Sequence, residues 1–186
     1  MSHNKDFLDS AFNNPEQADE HFMSLALEQG RRAFQHQEVP VGSVVVDWDG
    51  DYPRVLAEAH NRRAIDGDPT AHAEILAIRE ASRKKGDWRL TGTTLYVTIE
   101  PCPMCMGAIL LARIDRVVFG CGDPKGGAAG SVYDLSDDPR LNHRVALTRG
   151  VREQECRRIM QDFFSCLRRE HSERDFILKS WREEEK

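Results

Sequence analysis

The sequence predicts an α/β fold of three layers, with helices on both faces of a central five-stranded mixed sheet. One observation is the order of helical and strand patterns along the chain, which is α-β-β-α-β-α-β-(α)-β-α. A second is the length of 186 residues with 40% hydrophobic residues, enough for one domain with a full core and short of two. A third is a pair of polar motifs, each at a predicted helix start, which indicates that two helices converge.

The chain divides into three parts by composition and periodicity. Residues 1–15 are polar and lack strong periodicity, so we expect a flexible N-terminal arm. Residues 16–170 hold the alternating helical and strand patterns and are expected to form the folded domain. Residues 171–186 are charged, and we expect them to continue as a helical extension.

The first half of the domain is expected to be a helix followed by a β-hairpin. Residues 16–37 come directly after Pro15 and carry apolar side chains at helical spacing. Residues 41–48 are rich in valine and alternate weakly, which predicts a strand. Residues 55–60 predict a second strand, which returns after a turn at Asp49-Gly50-Asp51.

The second half is expected to alternate strands with helices. A helix is predicted over residues 70–85, with Thr70 as its N-cap and Gly86 at its end. A buried strand over residues 94–99 then leads to the second polar motif. The remaining elements are a helix at 104–112, strands at 116–120 and 144–148, a short helix at 131–135 and a helix at 152–169.

Metal-binding side chains occur in two short runs, Thr70-Ala71-His72-Ala73-Glu74 and Pro101-Cys102-Pro103-Met104-Cys105. Cys102 and Cys105 are separated on a helix by about 300° of rotation, so both sulfurs lie along one edge. Pro101 is typical of a first helical turn, where partial positive charge favours thiolates. His72 and Glu74 are about 200° apart on a helix, so they reach one ion only beyond the helix end. We infer that two helices direct their N-termini at the same ion.

One imidazole and two thiolates predict a catalytic zinc ion, Zn²⁺. Catalytic zinc keeps three protein ligands and leaves one position for water, whereas structural zinc has four. Zinc lowers the pKa of bound water to about 7, which supplies hydroxide at neutral pH. Glu74 could be a fourth ligand, but we assign it as the proton carrier because the open position gives the site its chemistry.

A cysteine pair with a distant histidine is also typical of structural zinc modules. A redox Cys-x-x-Cys motif is a further alternative, but it leaves His72 and Glu74 unexplained. The catalytic interpretation is favoured because Glu74 follows His72 by two residues and both runs stand at predicted helix starts.

Charge and cysteine content limit the classes of function. No apolar run approaches about 20 residues, so no transmembrane helix is expected, and the first residues lack a signal-peptide pattern. Five cysteines, an odd number, argue against a disulfide framework and favour a cytoplasmic protein. The net charge is −5, yet residues 140–169 hold eight arginines against three acidic residues, a local balance of +5 that leaves −10 elsewhere. This stretch is the expected surface for a polyanion.

The two metal-binding runs resemble a known signature. His-Ala-Glu followed by Pro-Cys-Pro-Met-Cys is similar to the pattern of the zinc-dependent nucleoside and nucleobase deaminases, the cytidine and deoxycytidylate deaminase superfamily. Within it, residues 20–169 resemble the bacterial tRNA adenosine deaminases. Further matching runs are Val39-Pro40-Val41-Gly42, Asp68-Pro69-Thr70, Leu95-Tyr96-Val97-Thr98, Arg116-Val117-Val118-Phe119-Gly120 and Asn142-His143-Arg144-Val145.

The resemblance implies a cytidine-deaminase-like fold and the hydrolysis of adenosine to inosine at the wobble position of a tRNA anticodon, with release of ammonia. It implies that His72 and the two cysteines bind zinc, and that Glu74 protonates the purine ring and then the departing amine. It further implies that Asn61 hydrogen-bonds the flipped base and that Asp123 contacts a nearby sugar. The partners it implies are the tRNA anticodon stem-loop and a second copy in a homodimer.

Two other functions remain open at this point. The nearest is a deaminase of a free nucleobase or nucleoside, such as guanine or cytosine, on the same fold. The other is a non-catalytic zinc or RNA-binding module, which would not need Glu74. The loop Gly126-Gly127-Ala128-Ala129-Gly130 and the arginines of residues 140–169 favour an RNA substrate.

Overall fold

The fold is seen in a computed structural model that describes residues 14–50 and 52–184, with side chains described through Arg169. Five strands form one sheet in the order β2-β1-β3-β4-β5. The strands are β1 (Gly42–Asp47), β2 (Arg54–His60), β3 (Thr93–Ile99), β4 (Arg116–Cys121) and β5 (Ala146–Arg149). β1 pairs antiparallel with β2 and β3, while β4 pairs parallel with β3 and β5. The predicted five-stranded mixed sheet is therefore confirmed.

Helices cover both faces of this sheet. They are α1 (Pro15–Gln35), α2 (Arg63–Asp66), α3 (Ala73–Lys85), α4 (Pro103–Ala112) and α5 (Glu153–Glu184). Successive side chains of a strand point to opposite faces, so Val44 packs with α1 whereas Val45 packs with α3 and α4. The three-layer arrangement expected from the sequence is confirmed, with one hydrophobic cluster on each side of the sheet.

Helix α1 is held to the sheet by a partly buried ion pair. The Arg116 guanidinium donates to both carboxylate oxygens of Asp19, with Nη1–Oδ1 and Nη2–Oδ2 distances of 2.9 and 2.6 Å. The Tyr96 hydroxyl donates to the same carboxylate at 2.9 Å. Burial, followed by the nearby Asp19 charge, raises the pKa of Tyr96 well above its usual value. The network joins α1 to β3 and β4 on the face opposite α3 and α4.

Two expectations from the sequence were wrong in detail, and one element was not expected. Thr70 does not cap α3, because its hydroxyl donates to Asp68 and the N-cap position falls to His72. Residues 131–135 form a turn with an isolated bridge between Ala129 and Asp134, not a helix. The unexpected element is the four-residue helix α2. Its Ala64 and Ile65 N–H groups donate to a buried glutamate, Glu38, which is far from it in the sequence.

The structure describes the C-terminal end of the chain further than the N-terminal end. Residues 1–13 of the expected N-terminal arm lie outside the described residues. Helix α5 runs without a break to Glu184, so the backbone of the C-terminal extension is helical up to that residue. None of the described helices combines the length and apolar character needed to cross a membrane.

Candidate metal centre and adjoining cleft

Three predicted ligands converge at one point of the structure. The Nδ1 atom of His72 lies 3.7 Å from the Cys102 sulfur and 3.5 Å from the Cys105 sulfur. A tetrahedral zinc ion with bonds of about 2.3 Å to sulfur and about 2.0 Å to nitrogen separates these atoms by about 3.5 Å. The donor set and its spacing therefore fit zinc. Among the described residues these three form the whole candidate cluster, which leaves one tetrahedral position for another ligand.

The backbone explains why these side chains are free to bind an ion. His72 and Cys102 are N-cap residues of α3 and α4, with extended backbones and no side-chain capping bond. Pro103, not Pro101, occupies the first turn of α4, which places Cys105 within that turn. Two helix N-termini thus meet at the cluster, and their partial positive charges favour thiolate ligands.

The two thiols differ in acidity. The hydrogen bond from Cys105 lowers the pKa of Cys102 to about 4, and a further hydrogen bond from His72 acts in the same direction. The pKa of Cys105 is raised because its thiol donates a hydrogen bond to Cys102 and because the side chain is buried. One thiolate is therefore already favoured without a metal, and binding of zinc would displace the second proton.

Glu74 lies in the first turn of α3 and is fully buried. Within the described residues, its Oε2 atom has no hydrogen-bond partner. Burial raises the pKa of this carboxyl group, and His72 and Cys102 are among the groups that act on it. A buried carboxyl with a free oxygen and a raised pKa is suited to carrying a proton.

Asn61 follows β2 and is buried beside the start of α3. Its Oδ1 accepts a hydrogen bond from the Ala73 N–H at 2.9 Å. This bond fixes the orientation of the amide, because only the oxygen can accept. The Nδ2 group is then the donor available to a bound molecule.

A cleft of about 990 Å³ opens over the cluster. Its lining includes the predicted residues Asn61, His72, Glu74, Cys102 and Asp123. Side chains from α5 form another part of the wall, namely Arg157, Met160, Gln161, Phe164, Ser165 and Arg168. All predicted site residues except the buried Cys105 therefore line one cavity.

Asp123 lies on the glycine-rich loop after β4. Its Oδ1 accepts from the Lys125 N–H, which closes a local turn, and its own N–H donates to Glu100. The interpretation of the sequence missed Glu100, although the residue directly precedes the Pro-Cys motif. The backbone groups that it binds come from residues more than 20 positions later, and no local pattern reveals such contacts.

The surface formed by residues 140–169 has fewer unpaired positive charges than the composition of this stretch predicts. Six of its eight arginines pair with carboxylates: Arg140 with Asp138, Arg144 with Asp137, Arg149 with Asp134, Arg152 with Glu155, Arg157 with Glu153 and Arg158 with Asp162. Asp134, Asp137 and Asp138 precede residue 140, so the local charge balance of +5 does not include them. Among the described side chains, Arg63, Lys125 and Arg168 line the cleft without a recorded ion pair.

The chain is similar to a known protein family and to a protein of known name. Residues 16–121 match the cytidine and deoxycytidylate deaminase zinc-binding region. The tRNA-specific adenosine deaminase of Bacillus subtilis (strain 168) is 45% identical over 151 residues, which is 81% of this chain and 91% of that protein.

Two solved structures extend the comparison. One, from studies of A-to-I editing by tRNA:A34 deaminases at the wobble position of transfer RNA, is 46% identical with a TM-score of 0.70, over 75% of this chain and 98% of its own. A guanine deaminase from Bacillus subtilis is 33% identical with a TM-score of 0.52, over 69% of this chain and 83% of its own. The similarity to the first is greater by both measures.

Proposed function

Since the chain belongs to the cytidine and deoxycytidylate deaminase family, and within it to the tRNA-specific adenosine deaminases, we propose that it hydrolyses adenosine to inosine at the wobble position of a tRNA anticodon. The observation that carries this proposal is a group of three candidate metal ligands beside a buried carboxyl group in one cleft. The reaction consumes one water and releases one ammonia.

His72, Cys102 and Cys105 would hold the zinc ion. Zinc bound there supplies a Lewis acid that lowers the pKa of a water molecule to about 7. The protein contributes the placement of the ligands at two helix starts and a cleft that admits the base.

Glu74 is proposed to move the protons. Its carboxylate accepts a proton from the attacking water and delivers it to the purine ring nitrogen as C6 is attacked. The carboxylate then takes the remaining proton from the C6 hydroxyl group and passes it to the amine, which leaves as ammonia while the C6 oxygen becomes the carbonyl of inosine. The raised pKa of Glu74 suits both transfers, since the group must hold a proton between them.

The other cleft residues are proposed to position the RNA. The Asn61 Nδ2 donates to the base, and Asp123 contacts a neighbouring sugar. Arg63, Lys125 and Arg168 provide positive charge for phosphates. An anticodon loop suits such a cleft, because an unpaired base leaves its stack at a cost of only about a few kcal/mol.

The direct test is incubation of the zinc-loaded protein with an anticodon stem-loop that bears adenosine at the wobble position. Inosine at that position, with no turnover of free adenine, guanine or cytosine, is the expected result. A stem-loop with guanosine at the same position is the matched control. Turnover of free guanine with no inosine in the RNA would instead support a nucleobase deaminase, the activity of the 33% identical relative.

We also propose a homodimer formed through α4. This helix is apolar throughout, yet Met104 and Leu111 are 37% and 73% exposed, with the small residues Gly107 and Ala108 between them. These positions are three or four residues apart and share one face. An exposed apolar helix face of this kind marks a protein interface. Because α4 also carries Cys105, a partner bound here would border the metal site.

Light scattering tests the dimer. The wild-type protein should have about twice the chain mass of 21.2 kDa, and Leu111→Glu should be monomeric. Trp88→Glu replaces another exposed apolar side chain, on the loop between α3 and β3, and should remain dimeric. A wild-type monomer at micromolar concentration would contradict the proposal.

A cytoplasmic location is proposed as well, because tRNA is the substrate and all five cysteines are free thiols. Recovery of the tagged protein in a cytosolic fraction that contains tRNA is the expected result.

A further inference from the structure

We propose that Glu100 is a positioning residue that holds the glycine-rich loop, residues 122–131, in the shape that the substrate cleft requires. This inference rests on the proposed function, because it assigns Glu100 an effect on RNA binding. The residue acts through the loop and the position of Asp123, without touching the substrate.

The first observation is that the loop is built around the Glu100 carboxylate. The side chain is buried, with 3% of its surface exposed. It accepts four hydrogen bonds from the loop: from the N–H groups of Asp123 at 3.0 Å, Ala129 at 2.9 Å and Ser131 at 3.0 Å, and from the Ser131 hydroxyl. Three of the donors are backbone groups, so the carboxylate fixes the path of the main chain itself.

The second observation is that this carboxylate is saturated. A carboxylate has about four acceptor positions. Oε1 receives the Ala129 and Ser131 N–H groups, and Oε2 receives the Asp123 N–H and the Ser131 hydroxyl. No acceptor position is left for a substrate, which separates Glu100 from the proposed proton carrier Glu74, whose Oε2 has no partner within the described residues.

The third observation concerns the glycines. A Cβ atom on Gly127 would lie 2.3 Å from the carboxyl carbon of Glu100. The main chain at this point can approach the carboxylate only because the residue has no side chain. The glycine-rich composition of the loop, which from sequence alone was compatible with close approach to a ligand, is explained here by close approach to Glu100.

The fourth observation is that Glu100 belongs to the segment that carries the metal ligand Cys102. Its own N–H donates to the Cys121 carbonyl at 2.8 Å, and the Pro101 carbonyl accepts from Ala128 at 2.8 Å. Cys102 follows directly. One short segment therefore carries a metal ligand and anchors the loop on which Asp123 lies, and the Glu100 side chain contributes three of the backbone contacts that hold this loop.

The test is a kinetic comparison of Glu100→Gln with wild type on the wobble-adenosine stem-loop. The glutamine NH₂ cannot accept, so at least one backbone N–H of the loop loses its partner, even where the Ser131 hydroxyl turns to accept from the NH₂. We expect KM for the RNA to rise about tenfold, equivalent to about 1.4 kcal/mol. The value of kcat and the zinc content should stay near those of wild type, because the metal ligands and Glu74 are unchanged.

Two further variants separate positioning from general stability. Asp47→Asn removes another buried carboxylate, at the opposite end of the sheet from Glu100, and should lower Tm without raising KM. Ser131→Ala removes one donor and should raise KM by less than Glu100→Gln does. The double variant should show a smaller effect than the sum, because both changes act on one contact. If Glu100→Gln lowers Tm while KM is unchanged, or loses zinc, the inference is overturned.

A readout without RNA keeps this inference separate from the proposed function. Hydrogen exchange of peptides spanning residues 122–131 should be faster in Glu100→Gln and unchanged in Asp47→Asn. Unchanged exchange in the glutamine variant would overturn the loop-holding role. Faster exchange in a protein whose wild type makes no inosine would leave the loop-holding role standing and reject the tRNA substrate instead.

Discussion

The Oδ1 atom of Asn61 accepts a hydrogen bond from the backbone N–H of Ala73 at 2.9 Å. The bond joins the end of β2 to the first residue of α3, the helix whose N-cap is His72. Asn61 thus satisfies one of the free N–H groups at the helix start from a distant position in the chain. The side-chain oxygen of Asn61 stabilises the start of α3, and its Nδ2 group remains available to donate to a ligand.

This division predicts different effects for two substitutions of Asn61. Asn61→Asp keeps an acceptor for Ala73 and removes the donor, so we expect wild-type Tm and kcat/KM lower by about tenfold or more. Asn61→Ala removes both and should also lose about 1 kcal/mol of stability, as expected for a lost cap. Thermal unfolding and steady-state kinetics on the stem-loop measure the two effects. Equal kcat/KM for Asn61→Asp and wild type would remove Asn61 from substrate binding.

Substitution of Glu74 should separate chemistry from metal binding. Glu74→Gln keeps the shape of the side chain but cannot carry the proton, so kcat should fall by about 10²–10⁴-fold. Zinc content should be unchanged, and stability should stay near that of wild type, since glutamine has the size of glutamate and still places a buried polar atom at the Oε2 position. Metal analysis and single-turnover kinetics provide the measurement. Retained activity would exclude Glu74 as the proton carrier, whereas lost zinc would make it a ligand.

The sheet and the cysteine pair of the metal cluster were predictable because their signals are local. Valine-rich β1 and the apolar β3 show strand patterns within a few residues. Cys102 and Cys105 are three residues apart at a helix start, which keeps their sulfurs close. The contact of His72 with this pair is distant in sequence, and it was predicted because both runs stand at helix starts and resemble the deaminase signature.

The features that were missed depend on contacts between distant residues. The turn after β4 replaces the expected helix because its N–H groups bind Glu100, which lies before α4. Helix α2 follows β2, and two of its N–H groups bind Glu38, which lies before β1 and is more than 20 residues away in the sequence. The positive charge of residues 140–169 is likewise partly neutralised by ion pairs with acidic residues outside that stretch. Such long-range pairing follows from the tertiary fold, which a periodicity argument does not supply.

Loss of a thiolate should abolish zinc binding. Cys105→Ser removes a ligand from the first turn of α4, so we expect zinc content to fall from about one per chain to near zero, with loss of activity. A chelator should lower Tm in wild type, because the ion binds only the folded protein, and should leave the Tm of Cys105→Ser unchanged. Cys166→Ser, on α5 and outside the cluster, is the matched control. Full zinc occupancy in Cys105→Ser would contradict the assigned ligand set.

The contact of α1 with β1 predicts a severe effect of one added methyl group. A Cβ on Gly42 would lie 2.0 Å from the Ala26 carbonyl oxygen and 2.5 Å from the Gly30 nitrogen. Both are backbone atoms, so neither can rotate away, and Gly42→Ala should cost about 3 kcal/mol or more. Gly50→Ala meets only ordinary contact at 3.9 Å and serves as the control. Urea unfolding measures the difference, and equal stability of the two variants would contradict the packing.

The acid stability of the fold should depend on Asp47. Burial pushes the pKa of this carboxyl up, but hydrogen bonds from Arg54, the Asp49 N–H and Lys85 bring it below its usual value of 3.8. A pKa that is lower in the folded state gives stability that is present above the unfolded pKa and is lost as pH falls through the folded pKa. Wild type should therefore lose part of its stability below about pH 4.

Asp47→Asn tests that dependence, because the asparagine has no proton to gain in this range. Its Tm should be below that of wild type at pH 7, and the gap should narrow as pH falls from 5 to 3. Asp162→Asn removes an exposed carboxylate of α5 and should leave the wild-type acid profile in place. The Tm difference between Asp47→Asn and wild type could instead stay constant from pH 7 to 3. That result would show that the Asp47 contacts contribute to stability through packing and not through charge.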